Sequence, residues 1–146
     1  MAFEANEYGR SVAAPGLIFP DQPTATESRC MADDADSEGG FPVFAKKGED
    51  VKAYASKPEA DGYFLGIAQR IVTRDEYPAG TPVTVVTTGH IWVKAGGDVQ
   101  SGDELAIDEN GKWVALKKED SKQTAVQGGK FLTSASEGAY AVVAIK

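Results

Sequence analysis

Between Pro78 and Leu116 the chain reads PAGTPVTVVTTGHIWVKAGGDVQSGDELAIDENGKWVAL, and short apolar runs alternate there with turn residues. The runs are rich in Val, Thr, Ile and Trp, while the breaks hold Gly, Asp, Asn, Ser and Pro. Such punctuation suits a pleated, half-buried surface, and no helix of ten residues fits between the breaks. Short strands are the expectation. The last two should form a hairpin, ELAIDE-NG-KWVALK, because Asn110-Gly111 can supply the positive φ angles of a type I′ turn. A two-residue loop there pairs Glu109 with Lys112, Asp108 with Trp113, Ile107 with Val114 and Leu105 with Leu116. Leu105, Ile107, Val114 and Leu116 then share one face, and Trp113 falls on the other. The register matters, since a slip of one residue turns every side chain to the opposite face.

Outward from this stretch the same texture continues. Phe41-Pro42-Val43-Phe44-Ala45 alternates like a strand, and Lys46 to Asp50 turns the chain into Val51-Lys52-Ala53-Tyr54. Asp61-Gly62 precedes a strand at Tyr63–Ala68, expected to run on through Gln69–Thr73 before a loop at Arg74–Gly80. Pro82–Thr87 and His90–Lys94 read as a strand pair around Thr88-Gly89. Apolar residues on both faces of that pair, Val86 and Ile91 against Val85 and Trp92, predict cover on both sides. Gly96-Gly97-Asp98 and Ser101-Gly102-Asp103 are turns bracketing Val99. Lys117–Lys122 is charged and exposed, and Gly128–Thr133 and Ala139–Ile145 read as closing strands. The fold class is all-β: a β-sandwich or barrel body, jelly-roll-like, over residues 41–146.

Residues 1–40 look different. Their large apolar residues are few, show neither helical nor strand periodicity, and are interrupted by Pro15, Pro20 and Pro23. Asp33 to Gly40 is a polar loop. This segment reads as an extended, irregular amino-terminal arm that needs a neighbouring chain or its own β-body to hold it. It is also acidic: residues 1–50 carry ten of the 22 Asp and Glu but four of the 15 Lys and Arg. The remainder is nearly neutral within a total of −7, so neither half offers a basic footprint for nucleic acid. An acidic front either keeps the chain soluble or complements a basic partner. No stretch approaches the ~20 apolar residues of a membrane-spanning helix, so no membrane partner is expected. Cys30 is the single cysteine, which rules out an intrachain disulfide or a Cys-pair zinc site and suits synthesis in a reducing cytoplasm.

Chemistry is hard to find. His90 is the single histidine, and Cys30 has no histidine near it in sequence. The carboxylate pairs (Asp75-Glu76, Asp103-Glu104, Asp108-Glu109, Glu119-Asp120) are adjacent residues, which on a strand point to opposite faces. Asp34-Ala35-Asp36-Ser37-Glu38-Gly39 begins like a calcium-binding EF-hand loop. Its twelfth position, however, is Ala45 where a bidentate glutamate is needed, and Pro42 lies inside. Gly97-Asp98-Val99-Gln100-Ser101-Gly102-Asp103-Glu104-Leu105 is similar to the rhythm of lipoyl and biotinyl carrier domains. The tip of the following hairpin is Asn110-Gly111 rather than a modifiable lysine, so turn chemistry is the simpler reading. No cofactor, metal or catalytic set is expected.

The layout as a whole carries a resemblance. Gly62-Tyr63-Phe64-Leu65-Gly66-Ile67-Ala68 is followed by Ala79-Gly80-Thr81-Pro82-Val83-Thr84-Val85 and Gly89-His90-Ile91-Trp92-Val93. Ser101-Gly102-Asp103-Glu104-Leu105, a hairpin ending in Ala115-Leu116, and Ala141-Val142-Val143-Ala144-Ile145 complete the series. With its acidic, cysteine-poor composition and irregular front arm, the chain resembles the capsid cement or decoration proteins of tailed bacteriophages over roughly Asp61 to Ile145. The resemblance implies a non-enzymatic protein, made in the host bacterial cytoplasm and carried on the outer capsid surface of the virion. It further implies that the chain bridges adjacent major capsid proteins as a homo-oligomer, a dimer or trimer, and braces the head against packaged DNA. Under that reading Leu17, Ile18 and Phe19 are apolar anchors for neighbouring pockets, unless they cap the barrel of their own chain. Asp33, Asp34 and Asp36 would face a basic partner surface. A carbohydrate- or receptor-binding β-module is the alternative, with exposed Trp92 or Trp113 beside Tyr140 as its platform.

Overall fold

The computed structural model describes residues 14–19, 23–71, 75–117, 119 and 122–146. Among these there is no helix, and nine strands form one curled, predominantly antiparallel sheet. They are β1 (Ala25–Met31), β2 (Pro42–Lys46), β3 (Lys52–Ala53), β4 (Gly62–Ala68) and β5 (Pro82–Lys94), then β6 (Glu104–Ile107), β7 (Trp113–Ala115), β8 (Thr124–Phe131) and β9 (Tyr140–Ile145). The order across the sheet is β2-β4-β5-β9-β8-β6-β7, with β1 laid against β5 and β3 beside β1. This is the all-β, barrel-like body that the turn-punctuated runs predict. β1 lies inside the segment whose composition reads as irregular. Its residues, ATESRCM, alternate too little in hydropathy to announce a strand, and all but Arg29 and Met31 are exposed.

β5 is the spine, and it corrects one expectation. Pro82–Thr87 and His90–Lys94 are a single thirteen-residue strand rather than a pair around a turn. A two-residue hairpin would ask the β-branched Thr88 for a positive φ, which costs strain. Only Gly89 adopts one, at 137°. The strand bends there without reversing. Its first half pairs with β1 through Val83, Val85 and neighbours and meets β4 at Val85 and Val86. Its second half pairs with β9 from Gly89 to Lys94. The inward parity changes across the bend: Val86 and then Ile91, Val93 and Ala95 enter the main core, while Val83 and Val85 enter a second one. The strand is thus covered on both faces, as its composition predicts.

The hairpin of β6 and β7 exists with a register one residue away from the expected one. Leu105 faces Ala115, Ala106 faces Val114 and Ile107 faces Trp113. Asp108 decides the matter. Its Oδ1 accepts bonds from the backbone N–H of Asn110 and of Lys112, each at 2.9 Å, while its own N–H donates to the Lys112 carbonyl. This longer, side-chain-capped loop leaves only Gly111 at positive φ, 79°. Trp113 therefore turns inward with Leu105 and Ile107, and only 3% of it is exposed.

Trp113 also closes the barrel. β2 and β7 sit at opposite ends of the strand order. Phe64 on β4, edge-on to Phe44 of β2, stands edge-on to Trp113 with ring centres 6.1 Å apart. The indole Nε1–H donates to the Gly40 carbonyl at 2.6 Å, immediately before β2. A tryptophan seldom sits fully buried without a partner for that N–H, and here the partner ties the two ends of the sheet together.

β4 stops at Ala68, so Gln69–Ile71 does not extend the strand, and residues 72–73 of the expected continuation lie outside the described residues. Beyond Gln69, whose N–H still donates to the Thr84 carbonyl of β5, the chain builds a second, smaller core. Met31, Ala35, Val43, Ala53, Ala68, Tyr77, Val83 and Val85 fill it.

Candidate functional site

The outer face of the second half of β5 and its neighbours carries the most distinctive surface. Trp92 is the register partner of Val142. Its backbone N–H donates to the Leu17 carbonyl at 2.9 Å, and the Leu132 N–H donates to the Val142 carbonyl at 2.8 Å. Leu17, Trp92, Val142 and Leu132 therefore form one row across four adjacent backbone segments. Residues directly opposite in a sheet share a face, and this row lies on the face away from Ile91, Phe131 and Val143, which fill the main core. Phe19 packs on Trp92 with ring centres 6.0 Å apart. Tyr140, two residues from Val142, extends the row beside Lys94. Leu132 and Tyr140 are 39% and 41% exposed, yet Val142 between them is 2% exposed. Large neighbours roof a small one, which makes a continuous apolar ridge rather than scattered side chains.

Each residue singled out from the sequence has a definite place. Ile18 points inward: it bridges Ile91 and packs against the main core. Leu17 and Phe19, half-buried, belong to the outward ridge. The three residues thus divide between capping their own barrel and forming a face. Asp33 accepts the backbone N–H of Ala55 at 2.8 Å and of Ser56 at 3.3 Å, and Asp34 accepts that of Ala79 at 2.8 Å. Both staple loops of their own chain. Asp36 is exposed. Buried Trp113 cannot serve as a platform residue, and Trp92 is partly roofed by Phe19.

The carrier-like rhythm resolves into turns. Asp103 accepts from the Gln100 N–H, Asp98 accepts from the Glu137 N–H, and Gly102 turns at φ 94° while Val99 enters the core. Cys30 is exposed on β1, and His90 is half-buried on β5, where its carbonyl accepts the Phe19 N–H. Among the described residues no three His, Cys, Asp or Glu side chains are grouped to hold a metal ion.

The start of the ridge is anchored by a tight backbone junction. A Cβ on Gly16 would stand 2.7 Å from both the Arg70 and Gly40 nitrogens, and one on Gly40 would stand 2.7 Å from the Gly16 nitrogen. Both glycines also have positive φ, so no other residue fits there without strain. The Gly16 N–H donates to the Trp92 carbonyl, and its carbonyl accepts the Arg70 N–H. Arg70 is held by Glu38, whose Oε2 lies 2.8 Å from Nη1 and whose hydrogen bond raises the guanidinium pKa further. Beside this junction runs a groove of about 570 Å³ between Gly39–Pro42 and Trp113, edged by Lys94, Lys112, Glu38 and Glu137.

The ridge is only partly legible in the sequence. Trp92 and Tyr140 stand out by residue type, but their union with Leu132 and Leu17 depends on β9 pairing with both β5 and β8. Alternation in AVVAI places Val142 and Val143 on opposite faces without saying what lies beside either.

These features define an all-β protein whose prominent surface is an apolar face. A family model matches residues 3–146, described as structural cement protein (E217 gp24/Pam3 gp6). The chain belongs to that family of phage structural proteins, and its role is structural, at the capsid. Among solved structures it is similar to a chain in the capsid of Myoviridae phage XM1, with a TM-score of 0.69 and 16% identity over 91% of this chain and 89% of that one. It is also similar to the head fiber gp8.5 N base of bacteriophage phi29, with a TM-score of 0.51 and 16% identity over 85% and 95%. At such identities the likeness is one of fold. A search among curated proteins finds no match.

Proposed function

We propose that this protein is a non-enzymatic cement that binds the outer surface of a phage head, bridges neighbouring major capsid proteins and braces the shell against packaged DNA. The observation that carries the reading is the Leu17–Trp92–Val142–Leu132 ridge with Phe19 and Tyr140 on its flanks. An exposed apolar ridge on a chain of net charge −7 is a surface to be covered by another protein. Leu17 and Phe19 join the arm, residues 1–40, to the body, residues 41–146, within one contact face. Asp36, exposed near the same arm, is the acid that remains available to a basic patch once Asp33 and Asp34 are engaged at home. Repetition of one modest contact across many shell subunits supplies avidity without a large interface at each. The oligomer best suited to bridging presents more than one ridge.

The test uses heads that lack the protein. Purified wild-type chain should co-sediment with them and raise the temperature at which they release DNA. The variant L132E/Y140E, changed only on the exposed flank, should stay folded yet lose both effects. Full binding and full bracing by that variant would sink the assignment of the ridge.

A further inference from the structure

We infer that Asn110-Gly111, at the tip of the β6–β7 hairpin, is a self-modification site where the asparagine loses its side-chain nitrogen as ammonia, and that Asp108 gates the reaction. The chemistry is intramolecular. The backbone nitrogen of Gly111 gives up its proton and bonds to Cγ of Asn110. The Cγ–Nδ2 bond breaks, and that nitrogen leaves with the proton as ammonia, closing a five-membered cyclic imide. Water then opens the ring at either carbonyl. One opening leaves aspartate, and the other leaves isoaspartate, with the main chain rerouted through Cγ. The sum is amide plus water to carboxylic acid plus ammonia, so no cofactor or oxidant enters.

Residue type and surroundings select this site. A side chain on the following residue obstructs ring closure, and of the two asparagines Asn6 precedes Glu7 whereas Asn110 precedes glycine. Asn110 is exposed, and a Cβ on Gly111 would meet nothing within 4 Å, so water and hydroxide reach both reacting groups. Asp61-Gly62 is the contrast, since its aspartate could close the same ring. Gly62, however, opens β4 as the register partner of Lys46, and a Cβ there would collide with the Pro58 carbonyl. Backbone packed in that way cannot swing into the attacking geometry.

The folded loop restrains the attacking nitrogen. The Gly111 N–H donates to the Asp108 carbonyl at 3.0 Å, closing a four-residue turn with Glu109 and Asn110 at its centre. Asp108 Oδ1 holds the N–H groups of Asn110 and Lys112 on either side. Attack requires the Gly111 nitrogen to leave that carbonyl, so the reaction runs from a locally opened loop. Exposed hydrogen bonds of this kind open far more readily than the whole fold. The product bears on the closure of the barrel. Isoaspartate adds a main-chain atom ahead of Lys112, whose bonds to Asp108 set the register that turns Trp113 inward toward Gly40. The change is irreversible: it adds a negative charge at the tip and slackens the Trp113 seal.

The test uses purified full-length protein with no capsid present, so its outcome stands apart from the cement reading. Folded wild type held at mildly alkaline pH should gain the mass difference between an acid and an amide in the tryptic peptide 95–112. Isoaspartate should appear at position 110 and not at position 61. Asn110→Gln should stay unchanged, and the wild-type chain unfolded in urea should react faster than the folded one. Asp108→Ala should react roughly tenfold faster than folded wild type, the gain in open loop from losing two exposed hydrogen bonds. Asp108→Asn keeps an acceptor oxygen and should react at nearly the wild-type rate. The modified fraction, separated by its extra charge, should unfold at a lower urea concentration than Asn110→Gln aged alongside it. No conversion of the folded chain over a period that converts the unfolded one would overturn the site. Equal rates for Asp108→Ala and Asp108→Asn would overturn the gate, and an unchanged urea midpoint in the modified fraction would overturn the link to Trp113.

Discussion

The two cores of this protein are built by different means. The main core takes side chains from most strands of the sheet, and their contacts follow from strand alternation: Ile91, Val93 and Ala95 on β5, Ala141, Val143 and Ile145 on β9. The smaller core is closed by loops. Tyr77, fully buried, uses its hydroxyl to donate to the Gln69 carbonyl and to accept the Ile71 N–H. Ala35 exchanges backbone bonds with Tyr77, and Asp33 and Asp34 pin the loops at Ala55 and Ala79. Where strands pair, the ladder satisfies the backbone and side chains are free to be apolar. Where loops cover a core, polar side chains must take over that task. The acidic segment that reads as a surface for a partner is partly this internal scaffolding.

The comparison can be broken most forcefully at Trp113. Trp113→Ala removes the closing indole and its bond to Gly40, and should cost about 3–5 kcal/mol of stability, read from urea unfolding. Loss of the Phe64 contact should also collapse the near-ultraviolet circular dichroism. Should the variant unfold at the wild-type midpoint, Trp113 would not be the closure of the barrel. Tyr77→Phe is the corresponding change in the smaller core. It leaves a carbonyl and an N–H without their partner in a buried site, an expected loss of about 1–3 kcal/mol. Hydrogen exchange should quicken at Ile71 and spare β8 and β9. Equal acceleration everywhere would show that the two cores unfold as one.

Asp33→Ala tests the loop staples and should cost roughly 1 kcal/mol, below the ~1.5–3 kcal/mol of a bond to a charged group because its two bonds are part-buried and exposed. The smallest expected effect is a pH limb. The Tyr54 hydroxyl donates to Glu49 at 2.5 Å, and this bond, with some burial, raises the tyrosine pKa above its ordinary value of 10.0. A raised pKa means that the folded state holds the proton more firmly. The contribution is therefore complete below about pH 10 and is lost as pH rises through the folded value. Tyr54→Phe should flatten that alkaline decline in melting temperature while leaving the curve near neutrality almost unchanged. An identical decline in the variant would assign it to other groups.

Much of this architecture is written in local residues. The strands at Phe41–Ala45, Tyr63–Ala68 and Ala139–Ile145 follow from alternation and turn residues, and the turns around Val99 follow from Gly and Asp. The failures are equally specific. Thr88-Gly89 reads as a turn, and only the pairing of both halves of β5 with different neighbours shows it to be a bend in one strand. Asn110-Gly111 suggests a two-residue loop, and the carboxylate of Asp108 chooses a longer one, turning Trp113 through to the other face. β1 is invisible because an exposed strand needs no apolar alternation; it is held by its ladder with β5.

The candidate face divides in the same way. Residue types alone pick out Leu17, Ile18 and Phe19, and Trp92, Trp113 and Tyr140, as candidate contact side chains. Only the sheet brings Leu17, Phe19, Trp92 and Tyr140 into one face with Leu132, and it places Ile18 beneath that face and buries Trp113. Sequence by itself determined the class of this protein, its strand-and-turn texture, its acidic charge balance and its family likeness, because those depend on composition and on residues near one another in the chain. Tertiary structure decided which face each aromatic presents, since a strand's facing reverses with a single residue of register. That register is set by hydrogen bonds to strands and loops far away in sequence.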